Sequence, residues 1–194
     1  MHFQHFPASH FSPSTWAGGR TTQLFIYPPE AEYKLRNFQF RLSTATVEVE
    51  KSDFTPLPGV SRELLLLEGC IRIIHEGKYT KVLSPLDTDS FQGDWKTCSE
   101  GKCTDFNQMM QGNTQGSLAG HDVQKSTSFH YHPSPNTNWL FLYLYRGKIS
   151  LAIEANHLEL NAGDVVVIQE HKLAFLSLTA HEDSRVVFAE VETA

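Results

Sequence analysis

Seven side chains interrupt apolar stretches of this sequence, and together they could hold a small anion: Trp16, Thr21, Arg41, Ser43, Arg62, Asp105 and Asn107. Trp16-Ala17-Gly18-Gly19-Arg20-Thr21-Thr22 sets a stacking face and two hydroxyls beside adjacent glycines, which let a ligand or a second backbone come close. The plain alternative is a turn before a strand. In Phe40-Arg41-Leu42-Ser43-Thr44-Ala45, alternation puts Arg41 and Ser43 on the face opposite Phe40 and Leu42. Periodicity leaves open whether that face meets a lumen or solvent. Asp53-Phe54-Thr55-Pro56-Leu57-Pro58-Gly59-Val60-Ser61-Arg62 carries two prolines and a glycine, so a rigid loop leads into Arg62. A fixed guanidinium fork grips carboxylate oxygens in pairs. The competing reading is that Arg62 and Asp105 pair with each other and brace the fold. Asp105, Asn107 and Met109 alternate onto one strand face, where a carboxylate and an amide can orient a polar ligand.

His130-Tyr131-His132 points two imidazoles the same way from a strand, as a metal site requires. The ten histidines, including His10, His121, His171 and His181, make such pairs easy to meet by chance, and no acid follows within Pro133–Asn138. Cys98 and Cys103 form no zinc pattern without a second pair. The sequence shows no phosphate loop, nucleophile elbow or acid/base pair of carboxylates.

The elements that must position these residues read as strands. Apolar residues alternate or run briefly, and turn residues punctuate them every eight to twelve positions, the pattern of a β-sandwich or barrel. Expected strands include 21–27, 37–50, 63–67, 71–75, 79–83, 118–123, 139–145, 148–153, 165–169, 174–178 and 185–191. Within 37–50 the apolar parity switches between Leu42 and Ala45, which predicts a β-bulge or bend near Ser43-Thr44. Leu67-Glu68-Gly69-Cys70-Ile71 is echoed 78 residues later by Tyr145-Arg146-Gly147-Lys148-Ile149, and Gly93-Asp94 by Gly163-Asp164. The echo predicts two similar jelly-roll halves. The polar stretch 98–117 reads as a connection between the halves around one strand, 102–109.

The chain has 194 residues, long enough to bury a core without disulfides. Sixteen basic residues against 22 acidic ones give a net charge of −6, which argues against a nucleic-acid binder and against a polybasic membrane grip. No apolar run reaches the ~18 residues of a spanning helix. The start, Met1-His2-Phe3-Gln4-His5, has no basic then apolar block, and three sparse cysteines make no disulfide framework, so a cytoplasmic protein is expected.

In order and spacing, Trp16–Thr22, Phe40–Ala45, Leu57–Arg62, Leu67–Gly69, Phe91–Asp94 and Asp105–Asn107 resemble the HutD/Ves family of bacterial proteins. The resemblance is strong over the first 110 residues and thin afterwards. It implies an all-β duplicated cupin, or bicupin. It also implies a role in histidine utilisation, as HutD members act there as non-catalytic governors sensing a small acid such as formylglutamate or urocanate, or a role in environmental stress, as for Ves members. Ala17 stands where the family usually has Asn, Gln23 or Leu24 where it has an acid, and Gln111-Gly112-Asn113 where it has an arginine pair. Metal-binding cupins follow His-x-His with Glu; Asn136 or Thr137 stands there instead.

The expectation is therefore two cupin lobes, 1–117 with an N-terminal arm and 118–194, and one ligand site in the first lobe lined by the seven residues named at the outset. The partner is a small acidic metabolite, with no nucleic acid and no membrane, and a homodimer is the assembly to test. No cofactor and no catalysis are expected. The competing functions are a metal-dependent isomerase or oxygenase using His130 and His132, and an interaction protein with no small-molecule site.

Overall fold

The computed structural model describes residues 2–170 and 173–193. Among them, helix is confined to two three-residue 3-10 turns, Ala8–His10 and Tyr33–Leu35, and everything else regular is strand. The all-β expectation is met. No helix among the described residues is long and apolar enough to cross a membrane.

The chain divides into two compact units. Residues 11–118 build one from two sheets. The larger runs in the order Pro13–Trp16, Gly19–Tyr27, Phe40–Val47, Cys103–Gln111, Val60–Gly69, Thr88–Gln92. The smaller runs Lys51–Asp53, Thr97–Glu100, Ile71–His75, Tyr79–Leu83. Leu64 and Leu66 of the first sheet close on Ile71, Ile73 and Leu83 of the second, with Phe91 between. Strands that alternate apolar-in and polar-out bury one face this way.

Residues 2–10 and 119–193 build the other unit on the same plan, with a five-stranded and a four-stranded sheet around Leu140, Leu142, Leu151, Ile168, Leu178 and Phe188. The arm expected with the first lobe belongs here instead. His2–Phe6 pairs antiparallel with Val165–Gln169, and buried Asp164 accepts from the backbone N–H of Ala8 at 2.8 Å and contacts His5 Nε2 at 3.0 Å. An edge strand joins whichever sheet offers it unpaired backbone groups, and proximity in sequence does not decide that.

The 78-residue echo is structural. At Gly69 and Gly147 the chain leaves one sheet and enters the other, with φ of 90° and 91°. A Cβ would lie 2.4 Å from the Lys102 carbonyl oxygen at Gly69 and 2.8 Å from that of Asp183 at Gly147. Both positions therefore demand glycine.

Two expectations are corrected. Phe40–Val47 has no bulge: it pairs with Cys103–Gln111 in unbroken register, and the register shift lies in Gly19–Tyr27, between Gln23 and Phe25. The switch in apolar parity arises because one face changes from polar, at Arg41 and Ser43, to apolar, at Ala45 and Val47. The stretch 98–117 is not a connection. Thr97–Glu100 pairs with Ile71–His75, and Cys103–Gln111 lies between Phe40–Val47 and Val60–Gly69 in the larger sheet. Asp105 and Asn107 give this strand the polarity of a loop, yet both are buried.

Candidate functional site

The floor of the site is written in strand register. Arg41, Met109 and Arg62 form one row across three neighbouring strands. Gln23, Ser43, Asn107 and Leu64 form the next, and Thr21, Ala45, Asp105 and Leu66 the one after. Residues opposed in a sheet share a face, so distant segments converge. They line a cavity of about 330 Å³ within residues 14–109, and all seven expected site residues border it. That size suits a small metabolite.

Arg62 is buried, with its guanidinium carbon 4.8 Å from the Phe54 ring centroid and 5.1 Å from that of Phe91. Its Nη2 donates to Asn107 Oδ1 at 3.0 Å, while its Nε is buried without a hydrogen-bond partner. Burial lowers its pKa to about 10, with Asp105 opposing, so it stays cationic at neutral pH. Arg41 is buried too. Its Nε donates to Gln23 Oε1 at 2.8 Å and its Nη1 to Ser43 Oγ at 3.1 Å, and its guanidinium lies 4.3 Å from the centre of the Tyr33 ring. Burial pulls its pKa below the ordinary value, with Tyr33 opposing. Both cations thus rest on neutral groups and aromatic faces, and neither hydrogen-bonds a carboxylate among the described residues.

Asp105 is the counterpoint. Its Oδ1 accepts a short bond from Asn107 Nδ2, and its Oδ2 lies 4.0 Å from Cys103 Sγ. Burial pushes its carboxyl up to about 7, with Arg62 pulling the other way. Burial, then Asp105, push the Cys103 thiol up to about 12, so it is no nucleophile. Arg41 and Arg62 border the cavity with Asp105, which burial pushes toward its neutral form, and with Asp53 at an exposed strand end, so the buried part of the cavity is attractive to anions.

At the mouth, Trp16 donates from Nε1 to Thr21 Oγ1 at 3.2 Å, and its ring is 40% exposed. A Cβ on Gly18 would sit 2.1 Å from that ring, so this glycine seats the indole. Gly19 admits the Thr46 carbonyl of the next strand, a second backbone as the sequence allowed. The sequence reading missed Gln23, Tyr33 and Phe91 as supports of the arginines. Gln23 carried a signal as one of two positions departing from the family pattern, and Phe91 stood in the Phe91–Asp94 motif without pointing to Arg62; Tyr33 carried none.

His130 and His132 are exposed at the end of the edge strand Ser128–Tyr131, with ring centroids 5.2 and 5.9 Å from that of Phe175. No group of three or more His, Cys, Asp or Glu that could hold a metal gathers among the described residues, and His171 lies outside them. Thr137, one of the two positions where the metal-cupin pattern would set its glutamate, donates to buried Glu190 at 2.5 Å; Tyr131 Oη donates to the same carboxylate at 2.6 Å.

Comparison with known proteins fits this architecture. The HutD family model matches residues 8–188. The chain belongs to the HutD family. No curated protein matches it. A conserved protein of unknown function from Pseudomonas aeruginosa PAO1 is similar at 21% identity over 100% of both chains, with a TM-score of 0.83. HutD from Pseudomonas fluorescens SBW25, solved in a formate condition, is similar at 19% identity over 100% of both chains, with a TM-score of 0.75. The bacterial pirin YhhW of Escherichia coli, in complex with nickel(II), reaches 0.70 at 11% identity over 97% of this chain and 98% of that one. At such identities the likeness is one of fold, and the fold is the duplicated cupin. Gln23 gives Arg41 a neutral hydrogen-bond partner, so this contact leaves the Arg41 charge uncancelled.

Proposed function

We propose that this HutD-family chain binds a small carboxylate metabolite in the Arg41–Arg62 cavity and leaves it chemically unchanged. The observation that carries the reading is the pair of buried arginines lining one cavity, neither of them hydrogen-bonded or ion-paired to a carboxylate among the described residues. A buried charge without its partner is costly, and a ligand carboxylate is the partner it lacks. Family membership points to histidine utilisation and to formylglutamate or urocanate as the acid. The wall offers Asn107 and Ser43 to orient an amide or hydroxyl, and no activated nucleophile: Ser43 Oγ accepts from Arg41, and the Cys103 thiol is protonated.

The test is calorimetric titration of formylglutamate and urocanate into the protein and its Arg62→Ala variant, with the ligands followed by NMR. A charge-assisted hydrogen bond is worth about 1.5–3 kcal/mol, so the variant binds roughly 10- to 150-fold more weakly. Binding by neither acid, equal binding by the variant, or turnover of a bound acid overturns the reading.

A further inference from the structure

This inference rests on the reading of the cavity as a carboxylate site and adds to what it recognises. Asp105 borders the same cavity as Arg41 and Arg62. Its Oδ1 is taken by the Asn107 amide, whereas among the described residues its Oδ2 has the Cys103 thiol as its one hydrogen-bond partner, at 4.0 Å. Of the charged and titratable groups bordering the cavity around it, Arg62 comes from Val60–Gly69, Arg41 from Phe40–Val47 and Asp53 from the exposed end of Lys51–Asp53, with Tyr33 beside Arg41 and Cys103 on its own strand. The residues directly opposite it in register, Ala45 and Leu66, are apolar. The Arg62 charge and the hydrogen bond from Asn107 favour its ionised form, while burial opposes that form more strongly.

An anion seated against the arginines neutralises their field and sets a like charge beside a buried carboxylate. Both effects favour the protonated acid. We propose that the pocket takes up its anion together with one proton from solvent, held on Asp105 Oδ2 and offered to the ligand as a hydrogen bond. The ligand class follows: a carboxylate that carries a further acceptor oxygen, such as an amide or formyl carbonyl, facing Asp105. The free carboxyl already titrates near 7, so uptake falls in the neutral range.

The experiment titrates N-formylglutamate and formate into the protein between about pH 6 and pH 8, in two buffers of different ionisation enthalpy. Both probes stay fully ionised there, so any slope belongs to the protein. The expected result is roughly tenfold weaker binding at the upper end than at the lower, with buffer-dependent heat equal to about one proton at the upper end. Asp105→Asn removes the slope and the buffer dependence. Flat affinity with no proton uptake in the wild type overturns this inference while leaving the carboxylate reading standing, as does an Asp105→Asn variant that keeps the slope. Failure of both probes to bind at any pH overturns this inference, and the carboxylate reading falls with it if urocanate does not bind either. If Asp105→Asn does not fold, the buffer dependence of the wild type decides alone.

Discussion

Arg62 donates to Asn107 Oδ1 at 3.0 Å, and no ion pair joins it to Asp105 among the described residues. Asn107 stands between the two charges, accepting from one and donating to the other. The sequence allowed either a bracing Arg62–Asp105 pair or a cation held for a ligand. The relay through a neutral amide leaves the Arg62 charge unneutralised, between two aromatic faces.

The first prediction concerns Arg62→Met, which keeps length and apolar stem. Replacing a buried, poorly compensated charge by an apolar residue of similar shape is near neutral for stability. The ligand-free melting temperature should change by no more than about 1 kcal/mol implies, and the ligand-induced rise should vanish. A large fall in the free protein's melting temperature would show that Arg62 braces the fold.

Gln23→Glu tests the role of the neutral partner. A carboxylate at the Arg41 Nε, where Gln23 Oε1 now accepts at 2.8 Å, cancels the charge that the ligand needs. Affinity for an acidic ligand should fall by roughly tenfold, about 1.4 kcal/mol, while the melting temperature holds or rises. Unchanged affinity by calorimetry would remove Arg41 from the site.

The stability of the protein should carry the mark of Asp105 even without ligand. Its folded value, about 7, lies above the ordinary aspartate value of 3.8. Between the two the folded state binds more protons than the unfolded one, so this residue's contribution to stability falls as pH rises from about 4 to 7 and levels off above. The gap corresponds to at most about 4 kcal/mol. In urea melts Asp105→Asn should gain on the wild type as pH rises through this window; a gap that does not vary with pH contradicts the burial argument.

The exposed histidines should be dispensable. His130→Ala with His132→Ala should leave stability within about 0.5 kcal/mol, as surface substitutions do, and ligand affinity unchanged. Metal analysis of the purified wild type should find less than one equivalent of Fe, Mn, Zn or Ni. Stoichiometric metal that the double variant loses would revive a metal-dependent enzyme.

Much of the site was legible because β-structure is periodic. Arg41 with Ser43, and Asp105 with Asn107, are spaced two apart, which puts each pair on one face wherever the strand lies. Polar residues in apolar strands need partners or a ligand, so seven of them suggested one pocket. The supports were not legible. Tyr33 sits in a 3-10 turn, and Phe91 looks like any core aromatic; only folding lays them on the guanidiniums.

The sequence alone determined the all-β class, the duplicated plan marked by Gly69 and Gly147, and that Arg41 shares a face with Ser43 and Asp105 with Asn107. Those follow from local rules: a period of two and a backbone conformation open chiefly to glycine. The tertiary structure decided the rest. It alone sent the arm His2–Phe6 to the second unit, put Cys103–Gln111 at the centre of the first, and aligned Arg41, Met109 and Arg62 in one row. Strand order and register depend on which distant segments bury each other's faces, and that choice belongs to the whole chain.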